Sequence, residues 1–126
     1  MNVRYDINGD VLIVEIVEQL SPDVYDRAIE AVLKAPEFHP DINVIYDLRD
    51  SDVLSLTTQQ VRTVASRAKN LPLSRGTSWK AAIVVSGILA YGLGRMFEHF
   101  NDDARFEVRV FRSLEDAKAW VANVIQ

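Results

Sequence analysis

Cysteine is absent from the 126 residues of the chain. Its absence excludes thiolate nucleophiles, cysteine zinc sites and disulfide switching, and it fits a reducing compartment. Runs of Lys or Arg are also missing, and the formal net charge is −4 with a pI near 5.1. Phosphate contacts dominate nucleic-acid affinity and need a basic surface, so no nucleic-acid partner is expected. The longest apolar runs, such as Ala81 to Val85, are far too short to form a transmembrane segment. The start, Met1 to Asp6, lacks the apolar core of a signal peptide, and a cytoplasmic protein is expected. The chain has no Walker loop, no Gly-x-Gly-x-x-Gly fingerprint and no Gly-x-Ser-x-Gly elbow. His39 and His99 lack the i, i+4 spacing of a helical metal pair. No catalytic residue, metal or cofactor is therefore expected.

What is present is an ordinary globular composition, 48% hydrophobic and 25% charged. Its length suits one domain spanning residues 1–126. Val3, Tyr5 and Ile7 alternate with polar residues, and Val11 to Val17 is a second apolar run. Asn8-Gly9 between them predicts a hairpin with a type I′ turn. Ser21-Pro22-Asp23 reads as a helix start, and Val24, Ala28, Ala31, Val32 and Ala35 follow at helical spacing. Pro36 and Pro40 bracket a loop before an apolar strand, Asn43 to Leu48. Thr57-Thr58-Gln59-Gln60 reads as a capping box for a helix with Val61, Val64, Ala65 and Ala68 on one face. Trp79 to Val85 has the continuous apolar pattern of a strand buried on both faces.

Ile88 to Phe100 follows as a helix. Leu89, Leu93, Met96, Phe97 and Phe100 form its expected inward stripe, with Tyr91, Arg95 and Glu98 facing away. Phe106 to Phe111 alternates as a strand, and Ser113 caps a last helix carrying Leu114, Ala117, Trp120, Val121 and Val124. The order ββαβαβαβα predicts a single-domain α/β fold: a mixed, mostly parallel five-stranded sheet with an N-terminal antiparallel hairpin and four helices.

Two segments carry candidate chemistry. At the end of the Asn43 strand, Asp47, Arg49 and Asp50 place a charge cluster where open α/β sheets bind ligands. Arg49 there is either a forked anion donor held by acids or one half of a solvated ion pair. Ser86 to Arg95 contains Gly87, Gly92 and Gly94. A glycine inside a helix costs about 1 kcal/mol against alanine, so Gly92 and Gly94 serve either close packing or binding.

This element order, the charge-terminated strand and the closing Val110 to Val121 segment, Val-Phe-Arg-Ser-Leu-Glu-Asp-Ala-Lys-Ala-Trp-Val, resemble the SpoIIAA-like family. These are small bacterial domains related to the STAS fold of anti-sigma factor antagonists and also compared with CRAL-TRIO lipid-transfer domains. The resemblance implies a single, often self-associating domain, here a homodimer, whose ligand is unassigned in most members. In the antagonists the matching strand ends in Asp-x-Ser, and that serine accepts phosphate from a kinase. Here the tripeptide is Asp47-Leu48-Arg49, which leaves Ser51 and Ser55 as the nearest hydroxyls for modification. Leu56-Thr57-Thr58 also replaces the Ser-Ser-Gly helix start.

The expected function is non-enzymatic binding of a small amphipathic or anionic ligand at the strand ends by Asp47, Arg49, Ser86, Tyr91 and Arg95. The alternative is a protein-interaction module of the antagonist type without the phosphoserine switch. A lipid-like pocket would lie between the Ile88 helix and the sheet, with its mouth at the end of the Tyr46 strand and the Ser86–Tyr91 turn.

Overall fold

The computed structural model describes residues 1–122. Five strands form one sheet: β1 (Asn2–Asp6), β2 (Val11–Glu15), β3 (Asn43–Asp47), β4 (Lys80–Val84) and β5 (Glu107–Phe111). The helices are α1 (Pro22–Lys34), α2 (Thr58–Lys69), α3 (Ile88–Phe100) and α4 (Leu114–Val121), with a short 3-10 turn at Leu73–Arg75. β1 and β2 are antiparallel and every later pair is parallel. The mixed sheet and four helices expected from the sequence are all present; β2 to β5 are each one or two residues shorter than expected, and β1 starts and ends one residue earlier. Val124, expected on the last helix, lies outside the described residues.

The helix caps form as the residue types dictate. Ser21 and Ser113 accept the amides of Val24 and Asp116, and Thr57 and Gln60 make a full capping box.

The hairpin forms, but not through a type I′ Asn-Gly turn. Asp6 stands opposite Val11, so four residues, Ile7 to Asp10, make the connection. The Asp6 carboxylate captures the Asn8 amide at 3.0 Å, and Asp10 rather than Gly9 takes the positive φ, 47°. A short aspartate side chain that bonds its own backbone competes directly with the two-residue turn. Ile7 is consequently swung off the strand face and left 77% exposed.

The strands lie side by side in chain order, β1 to β5. Parallel crossovers are right-handed, so connections that all step the same way place their helices on one face. Accordingly α1, α2 and α3 share a face, and α4 alone covers the other. Leu12, Val14 and Val44 pack with Val24, Ala28 and Val32 on the three-helix side. Val11, Ile13, Ile45 and Val84 pack with Ala117 and Val121 on the α4 side. α1 and α3 rest on β2 and β5 respectively, whereas α2 makes its main contacts with α1 and α3 and few with any strand.

α3 is rotated from the sequence expectation. Ala90 and Gly94 are its buried positions, while Leu89 is 71% exposed. The cause is Gly94: a Cβ there would overlap the Val110 side chain, so its absence lets the helix lie directly on β5. The rotation turns Glu98 inward, where its Oε2 accepts the Val110 amide at 2.6 Å on this edge strand. Gly94 therefore serves packing. Gly92 has open space where a Cβ would go and no positive φ. Gly94→Ala should destabilise the protein by about 1–3 kcal/mol through overpacking, whereas Gly92→Ala should stabilise it by about 0.5–1 kcal/mol. Urea melts of the two variants should move in opposite directions.

Candidate functional site

The carboxyl ends of β2, β3, β4 and β5 meet at one edge, and Asp47 is the last residue of β3. Its carboxylate is 6% exposed and receives three hydrogen bonds from Arg49. Nε donates to Oδ1 at 2.9 Å, Nη2 to Oδ2 at 2.8 Å, and the backbone amide to Oδ1 at 3.2 Å. This forked pair holds the Asp47 carboxyl below its usual range, the Arg49 side-chain bonds being the main cause and burial opposing them. Asp47 points to the α4 side of the sheet, where Glu15 opposite it in register binds Arg4 at 3.4 Å and Asn2 at 3.0 Å. The edge charges thus largely satisfy one another.

Asp47 pairs with Val84 in register, so Arg49 and Ser86 leave adjacent strands at the same level. Ser86 is exposed at the entry to α3. Tyr91 and Arg95 lie further along that helix: Tyr91 is half-buried under Arg112, whose guanidinium sits 5.4 Å above its ring, and Arg95 pairs with Glu98 at 3.5 Å. No hydrogen bond or ion pair among the described residues joins Arg49 to Ser86, Tyr91 or Arg95. The Ser51 hydroxyl donates to the Glu18 carbonyl and pins the loop after β3 to the loop after β2. Ser55 is exposed and accepts from Gln19 at 2.8 Å.

Beneath this edge, between α2, α3 and the central strands, runs an apolar cavity of about 100 Å³. From α2 it is lined by Val61, Val64 and Ala68, from α3 by Ala90, Leu93 and Phe97, and from the sheet by Tyr46, Ala81 and Ile83. Its lining includes small residues from each side, Ala68 of α2, Ala90 of α3 and Ala81 of β4, together with Trp79 and Phe106, stacked with centroids 5.0 Å apart. Leu48, Val53 and Leu56 line it near the strand ends. Val85 and Ala90 reach it from either side of the Ser86–Leu89 segment; Ser86 and Tyr91 do not line it, nor do Asp47, Arg49 and Arg95.

One lining residue went unnoticed in the sequence. Arg75, in the 3-10 turn after α2, is 2% exposed. Its Nη2 donates to the Ile42 carbonyl at 2.6 Å, its guanidinium lies 4.2 Å over the Trp79 ring, and its Nη1 has no hydrogen-bond partner. Burial pulls the Arg75 pKa down from its usual value. Tyr25 and Tyr46 line the same cavity; burial pushes Tyr46 up to about 12 and raises Tyr25 well above the usual phenol range, with Arg75 opposing both. The only signal in the sequence was an arginine between two short loops, which reads as solvated surface.

No group of three or more His, Cys, Asp or Glu side chains that would hold a metal occurs among the described residues. No helix among them is long and apolar enough to cross a membrane.

An α/β domain whose sheet ends in a charged strand terminus over a lateral cavity is the class these features define. A model of the SpoIIAA-like family matches residues 11–122, and the chain belongs to that family. The fold is similar to that of an uncharacterized DUF3478-family protein with a SpoIIAA-like fold from Shewanella loihica PV-4. The two share 17% identity and a TM-score of 0.59, covering 95% of this chain and 90% of the other. No curated protein matches the chain.

The Asp47–Arg49 pair has a pH signature. Because the folded Asp47 pKa lies below the ordinary 3.8, its stabilisation is fully present above that value and is lost as pH falls through the folded pKa. Arg49→Met should cost about 1 kcal/mol at neutral pH, discounted for the exposure of the arginine. Urea melts should show that gap closing below pH 3.8; a gap independent of pH would assign the loss to packing instead.

Proposed function

We propose that this domain is a non-enzymatic binding protein for a small amphipathic or anionic ligand, held in the cavity between α2, α3 and the sheet. The observation that carries the reading is the cavity itself. Well-packed interiors leave few voids larger than a water molecule, yet here about 100 Å³ of apolar space lies under a helix with few strand contacts. Ligand pockets are concave and mostly apolar, with a few convergent polar groups, and here those groups are Arg75, Tyr25 and Tyr46. Asp47 and Arg49, with Ser86, Tyr91 and Arg95, then lie outside the ligand chamber, Asp47 on the opposite, α4 side of the sheet.

A second reading has its own support. Val17, Leu54, Ile88 and Leu89 are 62%, 56%, 74% and 71% exposed, and all follow the carboxyl ends of β2, β3 and β4. An apolar edge of this kind suits a protein partner, a second copy of the chain included. On that reading the domain docks as anti-sigma factor antagonists do, without a serine at position 49. A stoichiometric partner lost on Arg49→Ala would favour it.

Native mass spectrometry of gently purified protein, with organic extraction, should reveal a bound small molecule. Thermal melts with hexan-1-ol and with hexanoate should show ligand-dependent stabilisation. Ala68→Leu, which fills the cavity from α2, should abolish that stabilisation while leaving the protein folded. A clean apo mass together with no melting shift from either probe would remove the ligand reading.

A further inference from the structure

The strand-end charges are the obvious place for an anion, yet they are already paired. Among the described residues several cations form no ion pair, but the buried one, Arg75, lies at the other end of the molecule. Arg75 lies beside the entry to β3, where its backbone carbonyl accepts the Asp41 amide at 2.9 Å and its Nη2 binds the Ile42 carbonyl. No carboxylate among the described residues forms a salt bridge with it; the ion pairs of this domain are made by other arginines, lysines, histidines and the N-terminal amine. A buried guanidinium normally has its donors filled, because an unsatisfied buried donor loses its hydration without replacement.

We propose that Arg75 is the anion anchor of the cavity and that the ligand is a small apolar carboxylate bound head-inward, its carboxylate at the Arg75 guanidinium and its hydrocarbon running towards the strand ends. The assignment rests on the cavity being the ligand site. Three further features support it. The turn that delivers Arg75 is clamped from both sides: Arg105 donates to the carbonyls of Leu71, Pro72 and Gly76 at 2.6, 3.0 and 3.0 Å, and the Asp41 carboxylate accepts the Ser78 amide at 2.7 Å. The donor is therefore pre-organised, which favours tight anion recognition. The phenols of Tyr25 and Tyr46 share the chamber and supply neutral O–H donors to the same carboxylate. Finally, everything beyond this polar end is apolar. An engineered cavity of about 150 Å³ holds benzene, so about 100 Å³ holds roughly four carbons. A longer chain would emerge past Leu48 and Val53 beside the exposed Leu54.

The competing account is purely structural: Arg75 staples Ile42 and stacks on Trp79, and nothing else. Calorimetric titration of the full chain with hexanoate and with hexan-1-ol separates the two, since only the first carries the anion. Hexanoate should bind at least about tenfold more tightly, the scale of one charge-assisted hydrogen bond. Arg75→Met should erase that preference while leaving hexan-1-ol affinity within about twofold. Butanoate to decanoate would tell a short free acid from a fatty acid by where affinity stops rising.

Equal binding of acid and alcohol by the unaltered protein would overturn the anchor while leaving the cavity reading intact. Absence of binding by either would remove both. Should Arg75→Met fail to fold, NMR of the unaltered protein still decides. Nuclear Overhauser contacts from the hexanoate α-methylene to the Trp79 indole support head-inward binding, and contacts from that methylene to Leu48 and Val85 overturn it.

Discussion

The arrangement of this protein depends on one topological constraint: four parallel-facing strands laid down in chain order, each step in the same direction. With right-handed crossovers, that order forces three connecting helices onto a single face and leaves the other to α4. The outer two helices take the strands beneath them, α1 over β2 and α3 over β5. The middle helix is then held by its neighbours more than by the sheet. Whether such a helix leaves a void depends on side-chain size in the gap, and here several alanines and valines are among the lining residues. A leucine at Ala68 or Ala81 would take up part of that space. The cavity is thus a consequence of strand order combined with a few small residues, and it needs no irregular backbone to form.

The same sequence was far easier to read for architecture than for the site. Helix starts were legible because capping is local chemistry: Ser21, Thr57 and Ser113 satisfy amides three residues on, and no distant contact can change that. Strand identity was legible from residue type and period. The hairpin turn was misjudged because Asp6 and Asp10, flanking the Asn-Gly signal, had stronger local claims on the backbone. The α3 stripe was misjudged because hydrophobicity was taken as the guide to the inward face. Contact with β5 instead favours the position with no side chain at all, Gly94, and the large residues are displaced to its flanks.

The candidate site residues divide along a similar line. Asp47 and Arg49 are two residues apart, and a charged strand terminus is visible in any α/β sequence; the structure shows them engaged with each other. Arg75 could not be seen, because its burial depends on the α1–β3 connection more than thirty residues earlier, through the Ile42 carbonyl and the Phe38 ring 5.9 Å from the guanidinium, together with the nearby Trp79. Burial of a cation is a tertiary property. Charged residues in short polar loops are usually solvated, so composition argues against the arrangement that occurs.

That arrangement has an energetic logic. Stacking on Trp79 and the Ile42 carbonyl offset part of the desolvation of Arg75, and cation–π contact is worth more as water is excluded. Neither supplies an acceptor for Nη1. An unfilled buried donor costs about 1–3 kcal/mol, a substantial share of the stability of a domain this size. Replacing Arg75 with an apolar residue of similar length would remove that cost, though the Ile42 carbonyl would lose its Arg75 donor. A side chain that carries a local penalty next to a cavity has its simplest physical explanation in a partner that removes it. An oxyanion entering that chamber meets a desolvated, pre-aligned donor, and the interaction it forms is stronger there than at the hydrated Arg49. The location of an anion site is set less by where charges are numerous than by where one has been left without a counterpart.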